Sequence, residues 1–340
     1  MEHLAIDLGG RESQICVRRS DGEIIEERRC RTVALATYLA GRPRSRVVIE
    51  TCSEAFGVAD AALEAGHEVR VVPATLVRSL GVGARRLKTD RRDARVLSEV
   101  SCRVDLPSVH VPSPQARERK TLCGMREALV GARTKMVNTV RGWLRATGRR
   151  PRGGDVATFT TRVRALCSGS PLPSYVERQL HTIDALTVPI AEADRELAAT
   201  AKADPIAQRL MTVPGVGATT ALRFVAALDE ISRFPGAHAV ESYLGLVPGE
   251  DSSADRKRRT HITKAGPTAL RWCLVQAAWA ARRTRRQDPM HWWVDEVEKR
   301  RGTRVAVLAL ARKLAGILFA IWRDGTVYEP RRSGARVTTR

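Results

Sequence analysis

Two short apolar, β-branched runs open the chain, residues 4–8 (LAIDL) and 14–18 (QICVR), and Gly9 and Gly10 between them predict a strand, a turn and a second strand. A third strand follows near EIIEER (23–28), then a helix over 33–40, a buried strand over 46–50 (RVVIE), a helix over 58–67 and a strand over 68–72 (EVRVV). This alternation predicts an α/β domain. Residues 87–100 (LKTDRRDARVLSEV) begin with Asp and Arg and continue with Val96, Leu97 and Val100, as the start of a helix does. The proline-rich stretch 107–114 (PSVHVPSP) marks a boundary. From Gln115 to Ala146 a strongly basic helical pattern places Leu122, Met125, Leu129, Met136, Val140 and Trp143 near helical spacing. After the break GRRPRGG a second long helix is predicted over 174–203, and the two are expected to pair as an antiparallel hairpin. Residues 205–330 read as mostly helical, with a polar loop around Ser252 and Ser253 and a last helix over 302–328. The expected organisation is therefore 1–110, 111–204, 205–330 and a basic tail, 331–340.

Composition narrows the class. The chain of 340 residues is 43% hydrophobic and 28% charged, no uninterrupted apolar stretch of membrane-spanning length is evident, and MEHLAIDLGG lacks the features of a secretory signal. A soluble, cytoplasmic, nucleoid-associated protein without a membrane partner is expected. Seven scattered cysteines without a CxxC pair, and histidines without ligand spacing, leave carboxylates as the plausible metal ligands. Lysine and arginine number 58 against 37 acidic residues, a net charge of +21, which points to a polyanionic partner bound through counterion release. With only 4% aromatic residues, base stacking cannot be the main binding contribution over most of the surface.

Two sets of residues carry candidate chemistry. Asp7 lies in an apolar strand where a charge is costly, Glu50 ends the strand VVIE, and Asp90 and Asp93 share one helix face. Clustered carboxylates repel unless a divalent cation neutralises them, and magnesium ions so held suit phosphodiester chemistry. Ion pairs with the surrounding arginines would also explain Asp90 and Asp93, and AIDLG strands occur in nucleotide-binding actin-like folds as well. In the second set, Ser252 and Ser253 precede Arg256, Lys257, Arg258, Arg259 and Lys264, a setting in which a hydroxyl nucleophile would find charge stabilisation; a plain turn and N-cap is the alternative. Gly215 and Gly217 in TVPGVGATT make a tight turn before a helix, resembling the phosphate-holding turn of a helix-hairpin-helix.

Taken together, AIDLG, VVIE, KTDRRDARVL, VPGVG, SYLGLVP, the serine loop, ITKAGPTALR and GTRVAVLALARKLA with the final Tyr328 resemble the RuvC-like DEDD transposases of the insertion-sequence 110 group, bridge-RNA-guided recombinases, over nearly the whole chain. The resemblance implies a RuvC-like N-terminal domain of RNase H fold, an α-helical coiled-coil middle used for RNA binding and dimerisation, and a mainly α C-terminal transposase domain. It implies that Asp7, Glu50, Asp90 and Asp93 bind Mg2+ and that a serine links transiently to DNA. Ser253 matches the nucleophile's place best, with Ser252 beside it, although Ala254 stands where the family's loop usually has glycine. Donor and target DNA, a bridge or guide RNA, and a homo-oligomer (a dimer, and a tetramer in the synaptic complex) are the implied partners. The competing readings are a RuvC-type metal-dependent DNA endonuclease in which water attacks, and a non-catalytic nucleic-acid-binding protein.

Overall fold

A computed structural model describes residues 1–79, 90–253, 256–284 and 288–330, and divides the chain into two compact units, 1–112 and 113–340. Unit 1 is built on a five-stranded sheet. Strands β1 (Glu2–Asp7), β2 (Glu12–Arg18) and β3 (Ile24–Arg31) form an antiparallel meander, while β4 (Ser45–Glu50) and β5 (Glu68–Val72) run parallel to β1, in the order β3-β2-β1-β4-β5. Central β1 buries Leu4, Ala5 and Ile6 in succession because both of its faces are covered. One face, with Leu4, Ile6, Val47, Ile49 and Val71, packs on α1 (Leu35–Ala40) and the alanine-rich α2 (Ala55–Glu64). The other, with Ala5, Val48 and Val72, is covered by α3 (Ala74–Ser79) and α4 (Asp90–Arg103) through Val77 and Leu97. The mixed sheet and its two helical layers are the α/β architecture expected. The helix expected from residue 87 is described from Asp90 onward, and 87–89 lie outside the described residues.

Unit 2 opens with the expected long helix, α5 (Pro114–Ala146), whose N-cap Ser113 accepts from the Ala116 amide and is followed by proline at the first helical position. α6 (Phe159–Leu166) was not expected from sequence; its eight residues follow the break GRRPRGG in a stretch to which no element was assigned, yet Phe159 and Val163 are fully buried. α7 (Ser174–Ala203) returns along α5: Val137, Val140 and Leu144 share a core with Val176, Leu180 and Ile183, and nearer the other end Arg126 Nε donates to Asp194 Oδ1 at 2.8 Å. The two helices are thus antiparallel neighbours.

The rest of unit 2 comprises α8 (Pro205–Leu210), α9 (Ala218–Leu228), α10 (Ala237–Tyr243), α11 (Thr268–Thr284), α12 (Pro289–Arg301) and α13 (Thr303–Asp324), with a two-stranded antiparallel hairpin of β6 (Pro248–Ser253) and β7 (Arg256–Ile262). The hairpin corrects the polar loop expected around the serines. Its strands lack apolar alternation, and the backbone register sets Glu250 and Asp251 level with Arg259 and Arg258. A second correction concerns α13, which is long and apolar enough to cross a membrane by length and composition, contrary to the sequence expectation. In the structure its Val307, Leu310, Leu314, Leu318 and Phe319 are buried in the core of unit 2, and it ends at Gly325 in the left-handed conformation, short of the expected residue 328.

Candidate active site

The four acids predicted in unit 1 lie at one end of its sheet. β1 and β4 are hydrogen-bonded parallel neighbours with Ile6 level with Ile49, so the next residues, Asp7 and Glu50, stand side by side about 4.8 Å apart at the carboxyl ends of adjacent strands. Strand alternation turns both toward the face that Ala5 and Val48 present to α4. That helix lies on β1 in a steady register. Ser101 Oγ meets His3 Nδ1 at 2.8 Å, and Leu97, one turn earlier, shares a core with Ala5. Four helical residues advance about 6 Å and two strand residues about 6.6 Å, so one further step brings Asp93 level with Asp7. Asp90 lies a turn beyond, exposed, while Asp93 is only 6% exposed and its Oδ1 has no hydrogen-bond partner among the described residues. Among the described residues no three acidic, histidine or cysteine side chains are near enough to share one ion as they stand. Mutual repulsion of carboxylates opposes closer approach without a cation between them.

Two of the surrounding arginines are engaged by another carboxylate. Arg91 Nη2 and Arg95 Nη2 both donate to Glu27 Oε2 of β3, each at 2.6 Å, and the paired guanidinium groups hold the Glu27 carboxyl down at about 2. Of the basic residues considered as partners for Asp90 and Asp93, Arg91 and Arg95 are thus engaged with Glu27, and Arg86 and Lys88 lie outside the described residues. A buried carboxylate oxygen without a partner among the described residues, beside two further acids on fixed strand ends, fits a divalent cation, whose preferred donors are carboxylate oxygens. Local bonds brace this end of the sheet. The Thr32 hydroxyl donates to the Gly9 carbonyl at 2.6 Å behind Asp7, and the Ala74 amide donates to Thr51 Oγ1 at 3.0 Å behind Glu50.

In unit 2, Ser252 and Ser253 are the last residues of β6, registered opposite Lys257 and Arg256 of β7, with Arg258 and Arg259 following along that strand; Ala254 and Asp255 lie outside the described residues. The base of the hairpin is locked by a crossing of two backbone segments. A Cβ on Gly266 (φ +74°) would lie 1.9 Å from the Tyr243 carbonyl oxygen, and one on Gly245 (φ +66°) 2.2 Å from that of Ala265. Only glycine permits this approach at these dihedrals. Arg271 of α11, buried, ties the crossing together: its Nη1 donates to the carbonyls of Leu244 at 3.1 Å and Ala265 at 2.8 Å, and its Nη2 to Thr268 Oγ1 at 3.1 Å. Sequence reasoning missed Arg271, one arginine among many; the signal available was its position in an otherwise apolar helical stretch. Lys264 sits at the same crossing, exposed and with positive φ.

The predicted phosphate-holding turn has a packing role at its first glycine: a Cβ on Gly215 (φ +83°) would lie 2.2 Å from the Ala277 carbonyl oxygen, so the turn is pressed onto α11. Gly217 is exposed and serves as N-cap of α9.

Comparison with known proteins agrees with this layout. A transposase family of the DEDD, IS110 type matches residues 4–148, the stretch holding Asp7, Glu50, Asp90 and Asp93, and the family described as "Transposase IS116/IS110/IS902 family" matches residues 207–291, which hold the serine hairpin. The chain is similar to a "Probable family 20 transposase" of Pseudomonas aeruginosa, 28% identical over 97% of this chain and 99% of that protein. It is similar to the "Transposase for insertion sequence element IS1328" of Yersinia enterocolitica, 29% identical over 96% of this chain and 98% of that protein. A third relative, the "Transposase for insertion sequence element IS1111A" of Coxiella burnetii, is 27% identical over 94% of this chain and 88% of its own length. A DEDD-type domain at one end and the second family domain at the other, with relatives aligned almost end to end, make the chain a member of the IS110 family of transposases, enzymes that cut and rejoin DNA.

Proposed function

We propose that this transposase is a site-specific recombinase in which Ser253 attacks a DNA phosphate with the support of Mg2+ held by Asp7, Glu50, Asp90 and Asp93. The observation that carries the reading is the juxtaposition of Asp7 and Glu50 on adjacent strand ends with the buried Oδ1 of Asp93, without a partner among the described residues, on the helix above them. Bound Mg2+ would supply electrophilic stabilisation to the phosphate and its leaving oxygen. The chain's own residues do the rest. The Ser253 hydroxyl forms the new O–P bond as the sugar oxygen departs and takes up a proton, so one phosphate ester replaces another and no nucleotide hydrolysis is required. Arg256, Lys257, Arg258, Arg259 and Lys264 lie on the same hairpin or at its base and would hold the DNA backbone. Ser252 is the neighbouring hydroxyl, and the exposed turn at Gly217 a further backbone contact.

In this reading residues 1–110 are the RuvC-like catalytic domain, 111–204 a coiled-coil region for RNA binding and dimerisation, and 205–330 the transposase domain with the serine. A structured bridge RNA would pair with donor and target DNA while the protein reads backbone and shape, which the net charge of +21 supports. The protein would work in the cytoplasm as a dimer that pairs into a tetramer on its two DNAs. A donor and target joining assay tests the chemistry. Ser253→Ala is expected to abolish joints and a trapped protein–DNA adduct while DNA binding persists; joints from that variant would establish water, or Ser252, as the nucleophile. RNA copurifying with the chain should include a discrete species from the flanks of its own element, and its absence would remove the guide.

A further inference from the structure

Aromatic side chains make up only 4% of this chain, yet one tryptophan on α11 is left largely in water. Trp272 is 59% exposed and has no ring or cation partner among the described residues. It follows directly on Arg271, whose guanidinium bonds the Leu244 and Ala265 carbonyls at the root of the serine hairpin. The ring therefore stands on the solvent side of the turn whose inner side anchors the hairpin. Along the helix the exposed positions Thr268, Trp272, Gln276 and Arg283 fall on one stripe, and exposed Lys264 precedes it. α11 contains no aspartate or glutamate at any position. An aromatic plate on a stripe of hydroxyl, amide and cationic groups has the chemistry of a nucleic-acid track, in which the charges hold phosphates and the ring takes a base face. A partner protein surface of apolar character would leave Lys264 and Arg283 without counter-charges.

We infer that Trp272 is a base-stacking contact for the DNA strand held at the serine hairpin, the stripe of α11 beside it guiding the phosphates. The inference rests on the proposed reading in one respect: that DNA lies against this hairpin. The partner is DNA with at least one unstacked base, since an intact duplex presents no free base face. Opening of a base step beside the cleavage position would supply such a base.

The test uses the full chain, without metal so that no chemistry intervenes, and a fluorescein-labelled duplex of random sequence with a short single-stranded gap carrying a fluorescent base analogue. Trp272→Ala is expected to weaken binding on the order of 10-fold, to leave the slope of log affinity against log salt unchanged, and to remove the quenching of the analogue. Trp272→Phe should retain most of both signals, whereas Trp272→Leu, apolar but without a π face, should lose the quenching. Lys264→Ala should lower the salt slope by about one phosphate contact while leaving quenching intact. Because the side chain is exposed, all variants should unfold at the wild-type midpoint. Wild-type affinity and quenching in Trp272→Ala would overturn the inference, as would a variant whose DNA binding is unaltered but whose self-association is weakened, which would assign the ring to a second copy of the chain. Binding and quenching are read without metal and without cleavage, whereas the serine chemistry is read in the joining assay, so failure of the one and failure of the other are distinguished.

Discussion

Replacing Glu27 with glutamine would loosen the helix that carries half of the candidate metal site. Glu27 is 14% exposed on β3 and receives Arg91 Nε at 3.2 Å, Arg91 Nη2 at 2.6 Å and Arg95 Nη2 at 2.6 Å, fastening the first turns of α4 to the sheet. The carboxyl is held from 4.5 down to about 2, first by its hydrogen bonds to Arg95 and Arg91. At about 1.4 kcal/mol per unit this corresponds to about 3 kcal/mol. Arg91 is 62% and Arg95 43% exposed, so solvent screening reduces the net contribution to about 1–2 kcal/mol. The folded value lies below the unfolded one, so the stabilisation is complete above 4.5 and is lost as pH falls from 4.5 toward about 2. Urea unfolding of wild type and Glu27→Gln is expected to differ by about 1–2 kcal/mol at neutral pH, with the gap narrowing steadily below the unfolded carboxylate value. Hydrogen exchange should place the loss in α4, and Mg2+ affinity should fall with it. A gap that stays constant down the acid limb, or α4 amides that exchange as in wild type, would refute the clamp.

Asp93→Asn removes a buried charge whose Oδ1 has no partner among the described residues, so the metal-free chain should gain about 1 kcal/mol in unfolding free energy. The same change should weaken Mg2+ binding by calorimetry by at least the roughly 10- to 100-fold that accompanies loss of even a supporting partner; a destabilised variant with unchanged metal affinity would contradict the site. Gly266→Ala forces a Cβ to within 1.9 Å of the Tyr243 carbonyl oxygen at φ +74°, and should cost about 2–4 kcal/mol while abolishing joint formation. A thermal midpoint equal to wild type would show that the crossing is not rigid.

Strand and helix periodicity made most of unit 1 legible, because a sheet covered on both faces leaves nearly continuous apolar runs at LAID and VVIE. The acids stood out for the same reason: Asp7 and Glu50 interrupt or end such runs. What could not be read was the register of α4 on β1, since Ser98 and Ser101 face the sheet, hydrogen-bonding Cys16 and His3, where periodicity expects apolar side chains. Glu27 was equally hidden, being one carboxylate in a charged edge strand whose partners lie 64 and 68 residues away. In unit 2 the hairpin escaped because its strands, PGEDSS and RKRRTHI, lack the apolar alternation by which a strand is read. α6 escaped because eight residues behind a Gly and Arg break carry only two fully buried anchors, Phe159 and Val163.

The candidate catalytic groups share a position at or near the ends of their elements. Asp7 and Glu50 end strands, Asp90 and Asp93 begin a helix, and Ser253 ends a strand of a hairpin. At such positions the backbone on one side is fixed by a ladder or a helix, and ligands of open α/β sheets gather at the carboxyl ends of strands. The bracing found behind each group supports the same logic. Thr32 and Thr51 tie down the loops after β1 and β4, Glu27 the first turns of α4, and Arg271 with Gly245 and Gly266 the root of the hairpin. Each brace is polar or glycine-based; those of the acids lie beside them, and that of the hairpin lies at its root. Substitutions in these braces should therefore impair transposition more than their cost in global stability suggests, because they displace reactive atoms without emptying a core.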